Sequence, residues 1–386
     1  MRQLLLKVAG RASIPPFHVM DVLSAANSRQ RARGDVVSLA AGQPSAAAPR
    51  QVRAAAVEAL DGRPLGYTEQ LGIPALRAAI AEHYERRYSL AVSPDDVVVT
   101  TGSSGGFLLS FLAAFDAGDR VALARPGYPA YRNILRALDC EVVELPCGPE
   151  TGFQPTVGML DSIGPLDGVI VASPANPTGT MLAAGELAAI AGWCAERGVQ
   201  LVSDEIYHGI HYGTEDPASA WQFSREAVVV NSFSKYFAMT GWRLGWLLVP
   251  ERLHRAVDCL TGNFTICPPT LSQHAAVAAF SAYDELDAHV ATYRRNRDTL
   301  VAGLRDLGID RLAPVDGAFY VYADVAHLTT DSMSFCQRLL ADTGLAIVPG
   351  IDFDPAEGHH FVRMSFAGPP DDIPEALRRL GSWLGS

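Results

Sequence analysis

Between about residue 95 and residue 250 the chain alternates between two textures. Short β-branched runs at residues 96–100, 120–124, 141–145, 168–172, 199–203, 227–231 and 244–249 are mostly apolar throughout, not at every second position. A strand with one wet face alternates, whereas a strand covered on both faces does not. These runs therefore predict a seven-stranded, mainly parallel sheet flanked by helices, an α/β fold. The intervening stretches supply the helices: residues 104–115 are dense in Leu, Phe and Ala, and residues 185–197 carry apolar side chains at helical spacing.

The texture changes near residue 285. A charged helical stretch around residues 293–298 precedes two alternating runs, 317–322 and 361–366, which predict antiparallel strands with a solvated or cleft-facing side. The expected organisation is an irregular N-terminal arm (1–40), a large domain (41–285) and a smaller α+β domain (286–386) that the arm joins. Within the arm, Ile14-Pro15-Pro16-Phe17 is a rigid apolar segment suited to lying against another surface.

Composition narrows the function classes. With 48% hydrophobic and 19% charged residues, the 386-residue chain can bury substantial apolar surface, more than one compact core usually holds. A net charge of −11 argues against a non-specific nucleic-acid binder, which needs clustered Lys and Arg. Cys140, Cys147, Cys194, Cys259, Cys267 and Cys336 form no CxxC pair and have no His at zinc-ligand spacing, so reduced thiols and no metal site are expected. The N-terminal apolar stretch is too short for a signal peptide, and no apolar run reaches the ~20 residues of a membrane helix. The expected location is the cytoplasm.

Open α/β sheets bind ligands at the carboxyl ends of their strands, and five of the expected strand ends carry reactive groups. One ends in Ser232-Phe233-Ser234-Lys235, where a partly desolvated amine could add to a carbonyl. Arg243, eight positions on, could turn back and neutralise a phosphate alongside the Ser232 and Ser234 hydroxyls. Another ends in Asp204-Glu205-Ile206-Tyr207, offering a carboxylate for a pyridine nitrogen and a phenol for a ring oxygen. A third presents Asn176 in a rigid Pro174–Gly179 turn. The fourth runs through Thr101-Gly102-Ser103-Ser104-Gly105-Gly106 into an apolar helix, an anion seat lacking the Walker A lysine. The fifth places Tyr128 where it could stack on a planar ring. Each segment alone has an ordinary structural use, as a cap, a turn or a packed tyrosine. Their joint occurrence at one sheet edge does not.

In these residues the chain resembles the class I/II aminotransferases, pyridoxal 5′-phosphate (PLP) enzymes of fold type I. The likeness runs in order through Ala41-Gly42-Gln43-Pro44, Tyr67 with Gly72 and Leu76-Arg77, Gly102-Ser103-Ser104, Asn176-Pro177-Thr178-Gly179, Asp204-Glu205-Ile206-Tyr207, Ser232-Phe233-Ser234-Lys235, Arg243 and Arg363. The resemblance implies that Lys235 carries PLP as a Schiff base and shuttles the substrate proton. It implies that Asp204 pairs with the pyridine nitrogen and that Tyr207 and Asn176 bond the ring oxygen. Ser103, Ser104, Gly105, Ser232 and Arg243 would hold the phosphate, and Tyr128 would stack on the ring. Arg363 would clamp the substrate carboxylate, with Asn176 and the Gly42 backbone helping, and Tyr67 would reach the phosphate of a neighbouring subunit in a homodimer. The implied reaction moves an amine from an L-amino acid to a 2-oxo acid. The donor stays open between aspartate, alanine, branched-chain and aromatic types, and a PLP-dependent C–S lyase on the same scaffold is the alternative.

Overall fold

The computed structural model describes residues 7–62, 64–214 and 216–385. The first six residues of the expected arm and Ser386 lie outside the described residues. Strand β1 (Val37–Ser38) precedes the large sheet, formed by β2 (Val97–Thr100), β3 (Arg120–Arg125), β4 (Glu141–Pro146), β5 (Gly168–Ala172), β6 (Gln200–Asp204), β7 (Val228–Ser232) and β8 (Gly245–Leu248). Its order is β2-β8-β7-β6-β5-β3-β4. Every pairing is parallel except those of β8, which runs antiparallel to both β2 and β7. All seven expected strands are present. The physical reason is that β2, β6, β7 and β8 are buried along their entire lengths. Val97 and Val99 pack on one face of the sheet with Val229 and Trp246, while Val98, Val202, Val228 and Leu247 pack on the other.

The reversal of β8 matters for the site. Residues that follow the parallel strands emerge at the sheet's carboxyl edge. Arg243 precedes β8, and the opposite direction of β8 brings it to that same edge.

A second sheet has the order β11-β12-β9, built from β9 (Tyr320–Asp324), β11 (Val348–Pro349) and β12 (Phe361–Ser365), while β10 (Leu345–Ala346) pairs in parallel with β1. Arg363 lies opposite Tyr322, and Ser365 opposite Tyr320. These strands are antiparallel as expected, and of the two expected alternatives, a solvated or a cleft-facing side, the cleft-facing one holds: β9 is buried at four of its five positions and β12 likewise. Their polar positions are covered because they face the cleft and the N-terminal segment. The helix Tyr283–Asp306 runs unbroken through the expected junction at residues 285–286.

The arm is not irregular throughout. Residues His18–Arg33 form a helix closed by Gly34 in the left-handed conformation. Its start is fixed from far away in sequence: the backbone N–H groups of His18 and Val19 donate to the Asp352 carboxylate at 3.2 and 2.8 Å. Local composition carries no trace of that cap.

Next to Asp204 lies a buried polar cluster. The Ser203 and Ser219 hydroxyls and the Ala220 N–H donate to Glu205 Oε1, while Oε2 has no hydrogen-bond partner and lies 3.6 Å from His208 Nδ1. His208 Nε2 donates to the Ser173 carbonyl at 3.0 Å, which leaves Nδ1 to accept from Tyr88 at 2.8 Å. Burial pushes the Glu205 carboxyl up to about 8 and the His208 imidazole down to about 3. Both are neutral at pH 7.

Two predictions follow from this packing. A Cβ added at Gly245 would lie 2.7 Å from the Asn231 carbonyl oxygen and 2.9 Å from the backbone of Gly102 and Ser103, atoms that cannot rotate away. Gly245→Ala is expected to cost about 2 kcal/mol in urea unfolding and to displace the glycine-rich turn. Because the folded-state pKa of Glu205 exceeds its unfolded value, its contribution weakens as pH rises from 4.5 towards 8. Glu205→Gln removes the ionisable group, so its melting temperature should decline less than that of the parent over this interval.

Candidate active site

The carboxyl edge of the large sheet and the small sheet enclose a cleft, and the side chains gathered there carry excess positive charge. Lys235 follows β7. Its Nζ donates to the Gly42 carbonyl at 2.6 Å and lies 5.6 Å from the Tyr207 ring. Burial, with the nearby charges of Arg363 and Arg243, lowers the amine to about 8 against the opposing pull of Asp204. The chain has just two lysines, and the other, Lys7, is exposed.

Asp204 ends β6 and is 3% exposed. One carboxylate oxygen accepts from the Ile206 N–H at 3.0 Å and the other from the Tyr131 hydroxyl. Burial raises its pKa to about 6, while the two hydrogen bonds and Lys235 favour the anion. The carboxylate is thus ionised at neutral pH, and a further cationic or N–H partner would offset more of its desolvation.

Arg363, on β12, is 2% exposed. Its Nη1 donates to Asn176 Oδ1 at 3.0 Å and its Nη2 to the Ala40 carbonyl at 2.8 Å. The guanidinium lies 4.4 Å from the Tyr320 ring and 4.9 Å from the Phe353 ring. Its Nε is buried with no hydrogen-bond partner. A buried cationic donor left unsatisfied marks a seat for an anion, and its fork matches a carboxylate.

A second anion seat lies at the start of the helix Gly102–Ala114. Arg243, in the left-handed conformation, donates to the Thr240 carbonyl at 3.0 Å, and its guanidinium lies so close to Gly102 that a Cβ there would fall 2.7 Å from Nη2. Arginine, glycine and the N-terminal amides of Ser103, Ser104 and Gly105 therefore meet at a helix N-terminus. The Ser232 hydroxyl is used within its own turn, donating to the Leu244 carbonyl at 3.3 Å and accepting from the Ser234 N–H at 3.0 Å.

Tyr128 feels the charges of Asp204, Arg363 and Arg243, and its ring meets Phe17 of the arm edge-on at 5.8 Å. Of the expected site residues, Tyr67 stands apart, 82% exposed. The sequence reading missed Tyr131, the partner of Asp204, and Tyr320, whose hydroxyl is 2.7 Å from that of Tyr207. Tyr131 lies one helical turn beyond Tyr128, and Tyr320 lies in the run read as a cleft-facing strand. Those positions were the available signals.

This set of groups fits PLP by donor chemistry: an amine of lowered pKa, a buried carboxylate, a phenol and an amide, plus two separate anion seats. Comparison with known proteins points the same way. Residues 34–380 match the family aminotransferase class I and II. A valine–pyruvate aminotransferase from Mycobacterium tuberculosis is 67% identical over 98% of this chain and 99% of its own length. An aspartate/prephenate aminotransferase from Thermus thermophilus is 35% identical over 97% of each chain. Among solved structures, an aminotransferase from Mycobacterium tuberculosis superposes with a TM-score of 0.97 at 67% identity, covering 99% of this chain and 100% of that one. The Thermus thermophilus aspartate aminotransferase with maleate gives 0.92 at 33% identity, covering 98% of this chain and 100% of that one. The chain belongs to the class I and II aminotransferases, and it is an enzyme that moves an amino group between an amino acid and a 2-oxo acid.

Proposed function

We propose that this enzyme uses PLP held on Lys235 and takes its amine from a small aliphatic L-amino acid of the valine or alanine type, passing it to a 2-oxo acid such as pyruvate. The observation that carries the reading is the pairing of Lys235 and Asp204 in one buried cleft beside the unsatisfied Nε of Arg363. The cofactor, when bound, supplies the electron sink that makes the substrate α-proton removable.

The chain's own residues do the rest. With its pKa lowered to about 8, Lys235 can take up and return that proton near neutral pH. Asp204, kept ionised, holds a protonated pyridine nitrogen, and Tyr131 fixes its orientation. Tyr207 and Asn176 bond the ring oxygen, and Tyr128 covers the ring. Arg243 with Ser103, Ser104 and Gly105 holds the phosphate, while the Ser232 hydroxyl, bonded to the Leu244 carbonyl and the Ser234 N–H, orders the turn that carries Lys235. Arg363, Asn176 and the Gly42 backbone seat the substrate carboxylate.

The donor class rests on the apolar Phe17–Tyr128 pair, with ring centroids 5.8 Å apart, which suits an aliphatic side chain better than a second carboxylate. The valine–pyruvate name of the 67% identical relative supports the same class.

We further infer a homodimer. Leu65, Tyr67, Phe264 and Ile266 are exposed, and the Thr270 hydroxyl donates to the Gly66 carbonyl at 2.6 Å, which ties the Tyr67 segment to the start of the helix Thr270–Val277. A second copy covering this face would bring Tyr67 towards its phosphate seat. Six free cysteines suit the reducing cytoplasm. We also infer two lobes, 41–285 and 286–386 with the arm joining the latter, and the helix Tyr283–Asp306 passes from one to the other.

Two measurements test this reading. Lys235→Ala should abolish the cofactor's Lys-linked absorbance and lower amine transfer by at least about a thousandfold; full activity in that variant would refute the assignment. In single-turnover assays without an acceptor, valine or alanine should convert the cofactor stoichiometrically with kcat/KM at least roughly tenfold above aspartate. Continuous ammonia release would instead mark the C–S lyase alternative.

A further inference from the structure

Tyr207 and Tyr320 belong to different sheets. Tyr207 follows β6 of the large sheet, and Tyr320 begins β9 of the small one. Both are buried, at 2% and 1% exposure, and their hydroxyls meet at 2.7 Å. The rings are packed edge to face, 5.6 Å apart at 80°. The Tyr320 oxygen also fills the space beside Gly42, where any Cβ would collide with it. A phenylalanine would pack against the same neighbours. The hydroxyl is therefore the informative atom, because burying one without a partner is costly.

We propose that Tyr320 is a positioning residue for the transamination site, its hydroxyl donating to Tyr207 and so strengthening the hydrogen bond that Tyr207 gives to the cofactor's ring oxygen. This rests on the PLP reading above and adds a residue to it. Proton accounting sets the direction. Each phenol has one proton; if the Tyr207 proton goes to the ring oxygen, the 2.7 Å contact must be made with the proton of Tyr320.

The consequence is measurable at Lys235. Electron density on the ring oxygen stabilises a proton on the neighbouring cofactor-linked nitrogen, so a stronger donor at Tyr207 withdraws that density and lowers the nitrogen's pKa. Hydrogen bonds in a chain strengthen one another in a low-dielectric interior. Removing the Tyr320 hydroxyl weakens the Tyr207 bond and raises that pKa. Because Tyr320 and Arg363 share the small sheet, the device carries the position of that sheet to the ring oxygen.

The test is a spectrophotometric pH titration of the PLP-loaded enzyme, following the absorbance of the Lys235-linked cofactor. Tyr320→Phe should move its pKa up by about 0.3–0.7 unit. Tyr207→Phe should move it up further, and adding Tyr320→Phe to that variant should change nothing more. Placing 3-fluorotyrosine, a more acidic phenol, at position 320 should move it down, which keeps the test open if the phenylalanine variant folds poorly. An unchanged or lowered pKa in Tyr320→Phe, or full additivity of the two phenylalanine variants, would overturn the role of Tyr320. Absence of any titrating Lys-linked band in the parent enzyme would instead sink the PLP reading itself, so the two failures are distinguishable.

Discussion

The cleft brings three cationic side chains, Lys235, Arg243 and Arg363, into mutual range with one carboxylate, Asp204. Holding like charges near one another away from water is unfavourable, and the structure relieves it in two ways. The lysine, the one cation of the three that readily loses its proton, has its pKa lowered to about 8, and Arg363 keeps an unpartnered Nε for an incoming anion. A site with that imbalance is complementary to a ligand set with two anionic ends. Under the proposed function a phosphorylated cofactor and a substrate carboxylate would supply them, and the surplus amine would be the group that reacts.

The scaffold serves this electrostatic arrangement. Strands β2, β5, β6 and β7 end at one edge, and reversal of β8 adds Arg243 to it. The small sheet supplies Arg363 and Tyr320 from the opposite side. The segment after β1 threads between them. The Leu39 N–H donates to the Ala346 carbonyl at 2.9 Å and the Ser365 N–H to the Leu39 carbonyl at 2.6 Å. That anchoring places the Ala40 carbonyl at Arg363 and the Gly42 carbonyl at Lys235. Asp352 ties the arm helix to the same region, and Arg132 of the large-sheet layer donates to the carbonyls of Asp352 and Phe353. Phe353 in turn lies against Arg363, so that guanidinium is braced from both sides of the cleft.

Much of this was legible in the chain. The seven strands could be read because burial on both faces removes polar alternation, and residues that follow such strands share an edge by topology. Lys235, Asp204, Tyr207, Asn176 and the glycine-rich turn were found that way. What escaped depends on long-range pairing. The helix His18–Arg33 is started by a carboxylate more than 300 positions away. Tyr131 meets Asp204 across 73 positions and Tyr320 meets Tyr207 across 113, and neither pairing leaves a local pattern. The alternation of the small-sheet strands left open whether their polar side meets solvent or the cleft, and the structure turns it into the cleft. Alternation reports two different faces without saying what covers each.

The central claim is that the reacting amine is that of Lys235. Reducing the PLP-loaded enzyme with borohydride fixes the cofactor to whichever amine holds it, and peptide mass mapping then locates it. With two lysines in the chain, the outcome is unambiguous. The account predicts the cofactor's mass on the peptide containing Lys235; its appearance on the Lys7 peptide, or on no peptide, would contradict it.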